Sequence, residues 1–211
     1  MTGARARALA LLLSTGDWEP VKPPRPPRGV AHLEAVDQDL IRNMYQALGG
    51  DPERLARIHP ANYDFAFNTP DGLLLIELDE EQHFNRYRAT TLTLTEHLKL
   101  PWTAPYLDYS DDDEHRLQPL WSKGNRWSNP SAARFFGEPS PPGDLTGNGA
   151  PRWRQRAFYD SVKDAHPNRR LARLSTYDTV EDRTLDELLT HPHPRTTPAI
   201  KQLLNSRTHP A

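Results

Sequence analysis

The sequence contains no cysteine, which excludes disulfide bonds, thiolate zinc sites, iron–sulfur clusters and a cysteine nucleophile. It also lacks a long apolar run. The longest, Ala8-Leu9-Ala10-Leu11-Leu12-Leu13, falls far short of the about 20 residues a membrane-spanning helix needs. Arg5 and Arg7 precede that run, but it is short for the apolar core of a secretion signal and no small-x-small cleavage pattern follows it. The chain therefore reads as a soluble cytoplasmic protein with no membrane partner. Neither charge sign is in surplus: 26 Lys and Arg against 28 Asp and Glu give a formal net charge of −2 over 211 residues. A uniformly basic coat for nucleic acid is excluded, whereas local basic patches are not. Apolar residues make up only 36%, so the core is small for the length. Gly-rich phosphate loops, a GxSxG elbow and HExxH are all absent.

Proline, by contrast, is abundant, with 21 residues, about twice average usage. Residues 1–30 read as an N-terminal arm, with a short helix over Arg5–Leu13 followed by the basic, proline-rich stretch Pro20–Arg28, which favours extended polyproline II. Leu33, Val36, Leu40, Ile41, Met44 and Leu48 recur at three- and four-residue spacing and predict a helix over 31–48, ended by Gly49-Gly50. Two strands follow, Asn62–Phe67 and Leu73–Asp79, joined through Asn68-Thr69-Pro70-Asp71-Gly72 as a hairpin with a longer loop. A helix is expected over 84–98. Residues 101–151, rich in Pro and Gly and holding the acidic run Asp111-Asp112-Asp113-Glu114, read as an irregular insertion whose acidic run is a solvated turn. A helix over 152–165, a strand over 170–177 and a helix over 184–189 complete a domain spanning 31–190, and 191–211 reads as a peripheral tail. The expected fold class is α/β, a mixed central β-sheet flanked by helices.

The stretch Glu77-Leu78-Asp79-Glu80-Glu81-Gln82-His83 carries the chemistry. Side chains alternate along a strand, so Glu77 and Asp79 share one face while Leu78 points to the other. Two carboxylates closing a run of Leu and Ile are costly to bury without a positive partner, and a divalent cation with oxygen ligands is the economical one. Asp64 lies thirteen residues before Glu77, and hairpin pairing returns it to that neighbourhood. The alternative is that Asp79 and Glu80 mark the strand end and cap the following helix, with Glu80 and Glu81 complementing its dipole.

Asp64 followed thirteen positions later by Glu77-x-Asp79 resembles the signature of the PD-(D/E)XK restriction-endonuclease-like superfamily. The nearer likeness is to very-short-patch-repair endonucleases, whose strand reads Glu-x-Asp-Gly-x-x-His; Glu77, Asp79 and His83 fall on that spacing, with Glu80 where the pattern has glycine. The helix Phe158–Asp164, with Asp160 and Lys163, and the strand carrying Arg173 extend the resemblance, which covers about residues 31–99 and 152–190. It implies a restriction-endonuclease-like core and a Mg²⁺ or Mn²⁺ site at Asp64, Glu77 and Asp79, with Glu34 on the first helix as a further ligand. It also implies metal-dependent hydrolysis of DNA phosphodiesters, in repair, restriction or defence. Most such enzymes place a lysine two residues after the glutamate, where this chain has Asp79. Lys163 is the candidate replacement, and His83 the candidate to share the proton work.

Between Arg152 and Arg173 there are seven basic and two acidic residues. Arg152, Arg154, Arg156, Arg169, Arg170 and Arg173 are therefore the candidates to hold phosphates of a DNA partner. The alternative to the nuclease is a catalytically inactive, nuclease-like fold that binds nucleic acid or protein, a reading favoured by the missing lysine.

Overall fold

A computed structural model of the chain describes residues 3–26, 35–166 and 169–209, and only the backbone at 35, 36, 113 and 117. In chain order the elements are α1 (Ala4–Leu13), β1 (Glu19–Val21), α2 (Ala35–Ala47), β2 (Phe65–Thr69), β3 (Gly72–Asp79), α3 (Arg86–Leu94), α4 (Thr103–Trp121), α5 (Pro130–Phe136), α6 (Pro151–Asp164), β4 (Leu171–Ser175), β5 (Thr179–Val180), β6 (Arg183–Thr184), α7 (Leu185–Thr190), α8 (Thr197–Ser206) and β7 (Thr208–His209). The fold is mixed α/β, as its alternating strand and helix patterns predict. It divides into two units: a sheet unit of residues 1–25, 62–81 and 167–211, and a helical unit of residues 26–61 and 82–166.

The sheet unit is built on five strands in the order β1-β2-β3-β4-β7. β3 is central and apolar on both faces, as a strand with neighbours on each side should be. It pairs antiparallel with β2 and parallel with β4. The hairpin turn is tighter than its composition suggests: Thr69 pairs with Gly72, leaving Pro70 and Asp71 as the loop. Proline presets φ at its position, and Gly72 takes a φ of +101° that other residues avoid. Phe67, Leu74, Ile76, Leu78, Ala172 and Leu174 form one face of this sheet and pack with leucines of α1 and α7 and with Ile200 and Leu204 of α8.

Two expectations are corrected here. Residues 1–30 do not form a loose arm throughout, because Leu9, Leu12 and Leu13 are buried in this core and Glu19–Val21 adds an edge strand. Pro20 is tolerated there because an edge strand needs hydrogen bonds on one side only. Nor is the C-terminal segment peripheral, since Ile200 and Leu204 are fully buried. Each such side chain contributes roughly 1.5–3 kcal/mol.

The helical unit has its own core of Ile41, Met44 and Tyr45 from α2, Leu48 just after it, Phe135 and Phe136 from α5, and Trp153, Phe158 and Val162 from α6. The expected start of α2, and with it Glu34, lies outside the described residues. The segment 101–151 is more regular than expected. The acidic run lies inside α4, where Asp111 and Asp112 face solvent and Glu114 is buried. Glu114 accepts hydrogen bonds from the Arg86 guanidinium, 2.6 Å at the shortest, and from its backbone N–H at 2.8 Å.

Two predictions follow from these packings. Tyr45 is buried and donates to the Phe135 carbonyl at 2.9 Å, and burial, with Asp51 adding to it, pushes its phenol from 10.0 up to about 12. A raised folded-state value stabilises fully below the unfolded one, so unfolding free energy should hold up to pH 10 and fall by roughly 2–3 kcal/mol as pH climbs to 12. In urea titrations at high pH, Tyr45→Phe should lack that fall. In the β5–β6 hairpin, Glu181 and Asp182 sit at φ of +50° and +61°, a pair of positions that suits Asn-Gly. Asp182→Gly should raise stability by about 0.5 kcal/mol; a loss on urea denaturation would show that the turn is unstrained.

Candidate functional site

In the sheet unit the acidic side chains are placed by strand alternation and by the end of the hairpin. Phe65 is the last β2 residue paired with β3, opposite Ile76. Beyond it the ladder continues through side chains. The Asp64 N–H donates to Glu77 Oε1 at 3.1 Å, and the Leu78 N–H donates to Asp64 Oδ2 at 3.0 Å. The hairpin thus returns Asp64 to Glu77, as the thirteen-residue spacing predicts. Glu77 and Asp79 leave the face opposite Leu78, and both are buried, at 2% and 1% exposure.

Arg173 is the cation that meets them. It stands opposite Glu77 in the parallel β3–β4 register and is fully buried. Its Nη1 donates to both Asp79 oxygens, at 2.9 and 2.8 Å. The expectation that Arg173 grips phosphate is therefore corrected: a guanidinium with no exposed surface, committed to Asp79, is part of the interior. Arg170 is also engaged elsewhere. It donates to the Asp71 carbonyl at 2.7 Å, clamping the Thr69–Gly72 turn at the end of the sheet away from Asp79, and Arg169 precedes it. Glu80 and Glu81 do not cap α3. Arg5 of α1 lies 3.0 Å from Glu81 and 3.8 Å from Glu80, and the cap is Asn85, whose side chain accepts from the N–H groups of Tyr87 and Arg88.

In the helical unit His83 lies in a single 3₁₀ turn ahead of α3, rather than one turn into the helix. Its Nδ1 is 2.7 Å from Oδ2 of Asp160 on α6. Asp160 is 3% exposed, so its charge is held where water cannot screen it. With the Nδ1 proton turned to that carboxylate, Nε2 is the nitrogen that carries the lone pair, able to take a proton or bind a cation. One turn further along both segments, Arg88 and Asp164 form a buried pair at 2.8 Å with side-chain exposures of 1% and 0%. This second pair locks α3 against α6 and so keeps His83 opposite Asp160. Nothing local marks Arg88 or Asp164 in the sequence.

Lys163 is buried on α6 at 5% exposure. Arg154 donates to the Leu48 carbonyl at 2.8 Å and lies over the Tyr87 ring, which ties the end of α2 to α6. Arg152 and Arg156 share a helix face with Asp160. The six arginines of the basic segment therefore do not act as one patch. Side chains that could hold a metal ion are present as Asp79 in the sheet unit and as the His83–Asp160 pair in the helical unit. No helix among the described residues is long and apolar enough to cross a membrane.

A direct test of the interior charge is Arg173→Met. It leaves Asp79 buried without the guanidinium and should cost about 3–5 kcal/mol in urea unfolding. Adding Asp79→Asn should recover part of that loss. Additive losses in the double-mutant cycle would show that the two side chains are not energetically coupled.

A family model described as "Family of unknown function (DUF7255)" matches residues 43–191. No curated protein and no solved structure matches the chain.

Proposed function

The chain belongs to this family of unknown function, and on the chemistry of its own side chains we propose that it is a metal-dependent nuclease that hydrolyses DNA phosphodiester bonds. The observation that carries the reading is the hairpin end at which Asp64 and Glu77 are hydrogen-bonded to each other's strand, with Asp79 on the same strand face. Supporting it are the His83–Asp160 pair and the resemblance of Asp64, Glu77-x-Asp79 and His83 to the restriction-endonuclease-like signature. In this reading Asp64, Glu77 and Asp79 hold Mg²⁺ or Mn²⁺. The cation, when bound, lowers the pKa of a coordinated water and offsets charge on the phosphate. His83 takes a proton at Nε2, and Asp160 holds the tautomer that leaves Nε2 available. Lys163 is the cation proposed for the role of the absent lysine after Glu77.

A second reading is a nuclease-like module that binds nucleic acid without cutting it. The observation that favours it is Arg173, which engages both oxygens of Asp79 and so competes with a cation there. DNA cleavage in Mg²⁺, Mn²⁺ and EDTA separates the two. Under the nuclease reading cleavage requires the metal, is abolished by Glu77→Gln, and falls about 10²–10⁴-fold in His83→Ala. Glu77→Gln keeps an oxygen to accept from Asp64, so the fold should persist. Cleavage that survives Glu77→Gln would falsify the assignment. No cleavage together with no Mn²⁺-induced rise in melting temperature would leave the binding module.

A further inference from the structure

Arg152 is the second residue of α6 in the helical unit and is half-buried. Burial lowers its pKa, with Tyr159 and Asp160 opposing that shift. Yet among the described residues no carboxylate makes an ion pair with it. Its hydrogen-bond partner is neutral, the Oε1 of Gln155. That amide is itself held. Gln155 is 1% exposed and its Nε2 donates to Ser131 Oγ on α5 at 3.0 Å and to the Tyr159 hydroxyl at 3.1 Å. Both amide protons are thereby spent, and the amide oxygen is left facing the guanidinium.

A partly desolvated arginine ordinarily recruits a carboxylate, because an unmatched charge away from water is costly. Here three side chains are instead arranged to hold the guanidinium in one orientation with no carboxylate in direct contact with it. Ordering a rotamer-rich arginine in advance lowers the entropic cost of binding an anion. A planar fork of donors suits the two oxygens of a phosphate. Arg152 also belongs to the first turn of a fourteen-residue helix, whose dipole favours negative charge.

We infer that Arg152, positioned by Gln155, Ser131 and Tyr159, is a preorganised phosphate site that binds the backbone of the polynucleotide. Gln155, Ser131 and Tyr159 are positioning residues, and Arg152 makes the contact. This rests on the nuclease reading for its substrate, but not for its test.

The test is fluorescence anisotropy of a short labelled DNA duplex across a salt series in EDTA, where cleavage does not intrude. Arg152→Ala should weaken binding on the order of tenfold and reduce the slope of log affinity against log salt by about 0.9. Arg152→Lys keeps the charge and the slope but not the fork, so it should recover only part of the affinity. Gln155→Leu should weaken binding about threefold with the slope unchanged, a result expected of a positioning residue and not of a lost charge. Thermal melts establish that each variant is folded. Equal affinity and slope in wild type and folded Arg152→Ala would overturn the site. Inorganic phosphate raising the melting temperature of wild type but not of Arg152→Ala, with DNA binding equal in both, would assign it to free phosphate or a chain-end monoester and overturn the backbone reading. Neither result depends on Glu77, so metal-dependent cleavage abolished by Glu77→Gln would leave the proposed function standing even if the phosphate site failed.

Discussion

A carboxylate taken out of water must find a positive partner, and this requirement organises both units. In the sheet unit it is met across neighbouring strands, where Arg173 reaches Asp79 from β4. Parallel pairing sets Arg173 opposite Glu77, so the register of the sheet and the neutralisation of its interior charge depend on each other. A slip of one residue would turn Arg173 into the leucine-lined face and send Leu174 toward the carboxylates. In the helical unit the same requirement is met between helices. Arg88 with Asp164 and His83 with Asp160 form two successive rungs between the segment leading into α3 and the body of α6. Both pairs are far more costly to break than a surface ion pair, and this gives the α3–α6 alignment a specificity that packing of Leu and Phe alone would not.

The hairpin and its acidic end were legible in the sequence because a strand has a period of two and the turn residues are local. Leu74, Ile76 and Leu78 on one side and Glu77 and Asp79 on the other sort themselves by alternation. The partners of those acids were not legible as partners. Asp79 and Arg173 are 94 residues apart, and His83 and Asp160 are 77 apart, so only the fold brings them together. α4 was missed for a different reason. Its buried stripe runs Trp102, Tyr106, Ser110, Glu114, which has helical spacing but turns polar halfway, so apolar periodicity fades just where the acidic run begins. α1 was placed outside the core because a proline-rich stretch follows it. That stretch contains β1, whose three residues need little from their own sequence beyond an edge to pair with.

The basic segment shows how charge counting can mislead. Seven cations within 22 residues suggest one surface, yet a helix followed by a strand disperses them. Arg173 serves the interior of the sheet, Arg170 a turn, and Arg154 the end of α2. What distinguishes Arg152 from these is the identity of its partner, a neutral amide fixed by two hydroxyl groups.

The parallel pairing of β3 with β4 also bears on how the chain is made. β3 emerges during synthesis 94 residues ahead of the arginine that will meet Asp79, an interval of roughly 5–20 seconds at ordinary elongation rates. For that time Leu73-Leu74-Leu75-Ile76 has β2 but lacks its other neighbour, and such an uncovered apolar strand is a template for association with other nascent chains. Glu77, Asp79, Glu80 and Glu81 follow the run directly. Hydrated and mutually repelling, they act as gatekeepers at the end of the strand until β4 arrives. The same carboxylates that must be neutralised in the folded interior thus protect the unfinished chain while they are still in water.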